Sequence, residues 1–296
     1  MSEAMPPVRR VVLKVPEEGR EYDVTLHAPY RFAQEIAAYQ PRFANSFAVN
    51  LGAGDGISCN DPVLPLYRSG WAGLAVEGGR NEALLANLPA ESIRKLISTF
   101  ITPDNVADLL GDNGCPESPD FLKLDIDGYD GPVLLEILRA GFRPKVIQLE
   151  VQPEFPPPIE FAVLYDPAYR CVDAAGKVGG FYGASLGYVC SLARRFGYFP
   201  VQVDFVTPFT HDVTLVSERY RDFILKRFGI AERTDRELFL AHPPGYSHFR
   251  EDDGIDTRSW RRREDPHLLL GEIWDACVAG CQRKHGALLP FHLAVA

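Results

Sequence analysis

Three carboxylates fall within six residues in the stretch LKLDIDGYDG, residues 122–131: Asp125, Asp127 and Asp130. Carboxylates that close repel each other and resist losing water. A fourth acid, Glu150, ends the apolar run KVIQLEV (145–151). Strands of an open α/β sheet deliver their C-terminal ends to a shared crevice, so acids ending neighbouring strands would converge there. Three chemistries would settle such a group. A hard divalent cation such as Mg²⁺ could be held by Asp125, Asp127 and Glu150. A cation on a ligand, or Lys123, could neutralise them. One carboxyl could stay protonated and serve as acid or base, with Asp127 the candidate. A reading without any ligand has Asp125 or Asp130 capping the following turn and helix. An EF-hand loop fails, because Tyr129 takes its fifth position and Asp130 replaces its sixth-position glycine.

A second group lies upstream. VNLGAGDG (49–56) follows an apolar strand and supplies Gly52, Gly54 and Gly56. Glycines there let backbone N–H groups approach a ligand closely. Glu77 ends the next strand, where a carboxylate can take both hydroxyls of a ribose. Together they make the minimum adenosine-ribose site; a tight structural turn is the alternative. A dinucleotide site prefers G-x-G-x-x-G. Here the spacing is G-x-G-x-G, and Pro62 and Pro65 interrupt the helix that would follow. S-adenosylmethionine fits better, having a ribose and adenine but no phosphate. For a base, His211 beside Asp212 in TPFTHDVTLV is the candidate; a surface turn is the alternative.

These residues need elements to hold them. RRVVLKVPEEGREYDVTLHA (9–28) reads as a hairpin, and PYRFAQEIAAYQPRF (29–43) as a helix ended near Pro41. Apolar strands then follow over 47–52, 71–79, 95–101, 120–128 and 145–151, with a helix over 132–140. Near-continuous apolar strands with intervening helices predict a parallel sheet covered on both faces. PEFPPPIEF (153–161) reads as rigid and extended, since prolines prevent a helix there. A helix is expected over 185–197 with Ser185 as N-cap, strands over 198–206 and 212–217, a helix over 219–229, a charged loop over 250–265 and a final helix over roughly 267–285.

In this order VNLGAGDG, GLAVEG, FLKLDIDGYD and KVIQLEV resemble a class I S-adenosylmethionine-dependent methyltransferase, over roughly residues 45–216. The run Lys123–Asp125–Asp127–Gly128–Tyr129–Asp130 is similar to the signature of the FkbM-type family. The resemblance implies a Rossmann-like α/β fold with a seven-stranded, mostly parallel sheet, its last strand antiparallel. Residues 1–45 would form an N-terminal hairpin and helix, 46–217 the cofactor-binding core and 218–296 a C-terminal helical extension. It also implies that Gly52, Ala53 and Gly54 lie along the methionine and ribose, that Glu77 holds the ribose hydroxyls, and that Asp104 or Asn105 accepts from the adenine amino group. Asp125 would face the cofactor. An Asp/Asn helix cap is the alternative at 104–105. Asn50 departs from the pattern, where the family usually has Asp; it keeps a carbonyl and loses the charge. Acids after the fourth and fifth strands are similar to the Mg²⁺ ligands of catechol O-methyltransferase and some sugar O-methyltransferases, where the metal lowers the pKa of a substrate hydroxyl.

The expected function is methylation of a small molecule, foremost on oxygen with divalent-metal help. RNA or protein methylation, N- or S-methylation, a nicotinamide oxidoreductase and a non-catalytic binding module are the alternatives. A net charge of −9 over 296 residues argues against a nucleic-acid surface as the main business. RSWRRRED (258–265) carries basic residues and a tryptophan, but acids surround it, so an internally paired loop is expected. No run reaches the roughly 18 apolar residues of a spanning helix, and the start has no signal-peptide apolar region. A cytoplasmic protein without membrane contact is expected, its oligomeric state open and a homo-oligomer compatible with it. Cys277, Cys281 and His285 share helical spacing, but an apolar stripe through Ile273, Trp274 and Val278 makes buried cysteines the expectation.

Overall fold

The computed structural model describes residues 9–15, 20–26, 45–57, 61–79, 81–88, 94–176, 178–205, 211–241, 249 and 254–296. β1 (Arg9–Val15) and β2 (Arg20–Leu26) form the antiparallel hairpin read from the sequence. The helix expected over 29–43 lies outside the described residues.

The core is a seven-stranded sheet built from β3 (Phe47–Leu51), β4 (Ala72–Glu77), β5 (Arg94–Ser98), β6 (Phe121–Leu124), β7 (Val146–Val151), β9 (Tyr198–Phe205) and β10 (His211–Ser217). β8 (Ile159–Val163) stands outside it. The order across the sheet is β5-β4-β3-β6-β7-β10-β9. The first five pair in parallel. β10 alone runs antiparallel, against both β7 and β9.

Alternation along the strands explains why these segments make a two-sided sheet. Val49, Leu51, Leu74, Val76, Leu122, Leu124, Ile147 and Leu149 belong to one apolar cluster. Their neighbours Ala48, Ala75, Phe121 and Val146 belong to another. Helices cover both faces. In chain order they are α1 (Leu64–Arg68), α2 (Glu82–Asn87), α3 (Val106–Asp112), α4 (Asp130–Arg139), α5 (Leu186–Arg195), α6 (Arg221–Phe228), α7 (Asp235–Leu240) and α8 (Pro266–His285). Val106, Leu134, Val189 and Leu238 bring α3, α4, α5 and α7 to the first cluster. Leu64, Leu84 and Ile224 bring α1, α2 and α6 to the second. Ser185 caps α5 by accepting from the Tyr188 N–H, and Gly197 follows the helix with φ +78°.

A third apolar cluster lies beyond the sheet. β8 pairs antiparallel with β11 (Phe291–Val295). Phe155, Phe161 and Phe181 pack there with Trp260 and with Ile273, Cys277 and Cys281 of α8. β8 begins directly after the prolines of PEFPPPI; the sequence reading stopped at their stiffness and missed the strand that follows.

Candidate active site

Every element that carries a singled-out acid ends on one side of the sheet. At the end of β3 the chain turns through the glycines. Val76 O accepts from both the Gly52 and Ala53 N–H groups, each at 3.0 Å, which fastens the loop to β4. Gly52 has φ +78°, and a Cβ there would lie 1.7 Å from Asp125 O. Only glycine allows that approach of the first loop to the fourth strand's end. Glu77 closes β4 with its carboxylate held from both sides. Oε2 accepts from the Gly54 N–H at 2.8 Å and Oε1 from the Gly79 N–H at 2.7 Å. Each oxygen keeps a lone pair directed elsewhere.

These residues wall a cavity of about 290 Å³ that also takes in Asp61, Phe100, Ile101, Lys123, Asp125 and Asp127. The parallel neighbours β6 and β7 bring their terminal acids together. Carboxylate oxygens of Asp125, Asp127 and Glu150 lie within 4.8 Å of one another, the one such group able to hold a metal among the described residues. Lys123 is the ammonium beside them. Its Nζ lies 3.0 Å from Asp125 Oδ2 and 3.9 Å from Asp61 Oδ2, and it donates to Gly52 O at 3.2 Å. Burial alone would lower the Lys123 pKa, but Asp125, Asp61 and Asp212 more than reverse that and keep it protonated. Lys284 is a second ammonium acting on Asp127, and neither cation offsets the burial of Glu150. Glu150 is 6% exposed, and its carboxyl makes no hydrogen bond among the described residues. Burial, then Asp125, Asp127, Asp130 and Asp212, push its pKa well up.

The turn after β6 sets the other two acids apart. Asp130 accepts from the Ile126 N–H at 2.8 Å and the Gly128 N–H at 3.0 Å, so it holds the turn and opens α4. Burial pushes it up to about 7. Asp127 sits at φ +53°, a conformation L residues seldom adopt. The Tyr169 hydroxyl donates to its carbonyl at 3.1 Å. Desolvation, then Asp125, raise the Asp127 carboxyl to about 6 at the cavity mouth.

Other sequence candidates are placed elsewhere. Asp104 and Asn105 do not line this cavity. Asn105 accepts from the Thr102 N–H and donates to Phe100 O, so its side chain is consumed in fastening the loop before α3. Asp104 is exposed and faces a separate surface hollow with Glu136 and Arg139. Phe100 and Ile101 occupy the cavity instead. His211 is buried in β10, in register with Val151 and Phe205, and neither lines the cavity nor joins the acids. Strand alternation sends its neighbour Asp212 to the opposite face, in register with Glu150 and Asp204. Asp212 accepts from Gln148 Nε2 at 3.0 Å, and burial pushes it up to about 7. Asn50 donates to Asp61 Oδ2 at 2.7 Å. The sequence reading passed over Asp61 and Phe100, since neither belongs to a spaced motif, and it took Asp212 only as the neighbour of His211.

Two alternatives meet packing instead of a site. Cys277 and Cys281 are buried in the third cluster, and Leu289 N–H donates to Cys281 Sγ at 3.1 Å. Trp260 is buried, stacked on Phe155 at 6.0 Å, and Arg261 lies over the Phe239 ring at 4.5 Å. Thr257–Arg262 is therefore a 3-10 turn, with Trp260 turned away from solvent. Among the described residues no helix is long and apolar enough to cross a membrane.

Residues 35–170 match the family described as the methyltransferase FkbM domain. No curated protein matches the chain. Solved structures are similar to this chain at low identity. The fibrillarin pre-rRNA processing protein of Methanococcus jannaschii is 13% identical with TM-score 0.39, over 71% of this chain and 83% of that one. An O-methyltransferase family protein from Burkholderia thailandensis is 9% identical with TM-score 0.39, over 64% and 56%. The pyocyanin biosynthetic protein PhzM is 14% identical with TM-score 0.37, over 62% and 53%, so the chain spans about half of its length.

Proposed function

We propose that this chain, a methyltransferase of the FkbM type by its sequence match, binds S-adenosylmethionine in the glycine-loop cavity and methylates a hydroxyl of a small molecule. The observation that carries this reading is that two features adjoin each other, the cavity at the glycine loop and an acid group that reaches into it through Asp125 and Asp127. Gly52–Gly54 with Glu77 form the adenosine end, and Asp125, Asp127 and Glu150 form an acid group beside it.

The residues fit that cofactor. Gly52 lets the backbone come close, the free lone pairs of Glu77 suit two ribose hydroxyls, and Phe100 beside Gly78 offers a ring face to a base. When bound, S-adenosylmethionine supplies a methyl group on a positively charged sulfur. Methyl transfer is an in-line displacement, so positioning dominates its rate. In this reading Asp127, ionised above about pH 6, takes the acceptor's proton at the cavity mouth. Asp130 and Tyr169 hold the turn that presents it.

The residues also fit a divalent cation such as Mg²⁺. Hard oxygen donors are the ligands it prefers, and Glu150 is a buried carboxyl with no other hydrogen-bond partner among the described residues. Held by Asp125, Asp127 and Glu150, it would lower the pKa of the acceptor hydroxyl.

Calorimetry with S-adenosylhomocysteine tests the cofactor assignment. Saturable binding is expected, weakened at least about tenfold by Glu77→Ala, as for loss of charge-assisted hydrogen bonds. Undiminished affinity in the variant would remove the assignment. Thermal stabilisation by nicotinamide nucleotides and not by S-adenosylhomocysteine would replace it with an oxidoreductase.

A further inference from the structure

The β3 end of the cavity holds a charge arrangement that the transfer itself does not use. Asn50, next to last in β3, is a buried amide, and a carboxylate comes to it from the next segment. Asn50 Nδ2 donates to Asp61 Oδ2 at 2.7 Å. The other oxygen, Asp61 Oδ1, accepts from the Val63 N–H at 2.7 Å and the Leu64 N–H at 3.1 Å. These donors fix the carboxylate in position. Lys123 Nζ stands 3.9 Å from the same Oδ2 that accepts from Asn50, and it also donates to Gly52 O. Asp61 and Lys123 both line the cavity. Asn50 Oδ1 is buried and has no donor among the described residues.

A buried carboxylate and a buried ammonium side by side, with an unused amide oxygen next to them, complement a zwitterion. The ammonium of an α-amino acid would meet Asp61 and Gly52 O, and its carboxylate would meet Lys123, all three residues lining the cavity. Buried charges persist only when paired and hydrogen-bonded. We propose that Asp61, held by Asn50 and paired with Lys123, is the carboxylate that recognises the α-amino-acid end of the cofactor. This rests on the reading of S-adenosylmethionine as cofactor. The competing role for Asp61 is local: it caps the first turn of α1, which would matter for folding and not for any part of a ligand.

Two ligands separate these roles: S-adenosylhomocysteine, and 5′-methylthioadenosine, which has the same adenosine and sulfur but no amino acid. Calorimetry on the full chain is expected to show wild type binding the first more tightly. D61N should weaken S-adenosylhomocysteine by about 10- to 100-fold, the range for a lost charged hydrogen bond, and leave 5′-methylthioadenosine within about twofold. The exchange N50D/D61N keeps an acid hydrogen-bonded to an amide and should recover most of the discrimination. If D61N does not fold, the exchange variant alone decides: discrimination kept supports the proposal, discrimination lost overturns it. Equal weakening of both ligands by D61N, or no weakening of either, also overturns it. Wild-type protein that binds both ligands equally refutes the inference and spares the cofactor reading. Wild-type protein that binds neither refutes both.

Discussion

Glu150 stands behind the cavity acids with its pKa pushed well up by burial and by its acidic neighbours. It is buried, it faces Asp125, Asp127 and Asp212, and Lys123 makes its close ion pair with Asp125 instead. A residue in that position destabilises the fold unless a proton or a cation joins it. Glu150→Gln removes the charge and keeps the shape. The expected result is an equal or higher melting temperature, together with loss of any stabilisation that Mg²⁺ gives the wild type. A Mg²⁺ shift unchanged in the variant would take Glu150 out of the cation site. Gly52 is the steric counterpart. Its positive φ and the 1.7 Å approach of a built Cβ to Asp125 O leave no room for a methyl group. Gly52→Ala is expected to cost about 2–3 kcal/mol or more from strain and overpacking, read from urea denaturation. A cost under about 0.5 kcal/mol, the range of a neutral surface change, would show that the loop can move aside.

At the scale of elements, α8 does more than cover an edge. Its Lys284 donates to Val178 O and Phe181 O and stands 5.2 Å from the centre of the Tyr169 ring. Tyr169 in turn holds the Asp127 carbonyl. The third apolar cluster thus backs the turn on which the acids sit. Trp260→Ala in that cluster is expected to destabilise by about 3–5 kcal/mol, as for a large buried aromatic, and to loosen the 164–183 segment in hydrogen exchange before the sheet. Simultaneous loss of protection in sheet and segment would mean the extension is no separate unit. The sheet strands were legible because burial on both faces writes continuous apolar runs. The convergence of Asp125 and Glu150 followed once those strands were neighbours. Other features had no such signal. β8 and β11 are five residues each and pair over a separation the sequence does not mark. Choosing Asp212 over His211 requires knowing which face each residue takes, and a one-residue shift reverses it. Asp61 meets Asn50 only because the chain folds back after the glycine loop. Asn105 has the right chemistry for a base edge, yet its own loop uses both amide atoms.

For the whole molecule, the raised carboxyls set a pH dependence of definite sign. Asp130 and Asp212 are pushed up to about 7 and Asp204 to about 6, in each case chiefly by burial. Asp212 looks towards Glu150, Asp125 and Asp204, with Lys123 the cation among them. Such a group binds its proton more tightly folded than unfolded, where its pKa is 3.8. The folded state therefore loses stability as pH rises from about 4 to about 7. Lys284 acts in the opposite sense. Burial lowers it to about 8, so the unfolded state holds that proton more tightly, and raising pH from 8 towards 10.5 favours folding. Without divalent ions, the melting temperature is expected to fall between pH 5 and pH 7.5 and to level off above pH 8. Asp127, pushed up to about 6, and Glu150, pushed well up, bind protons on the oxygens they would offer a divalent cation, so millimolar Mg²⁺ should raise the melting temperature more at pH 8 than at pH 5.5. A melting temperature that rises across pH 5–7.5 would show these carboxyls to be ionised in the fold at little cost. A Mg²⁺ effect of equal size at both pH values would place the ion away from Asp127 and Glu150, whose raised carboxyls carry the protons it would have to displace.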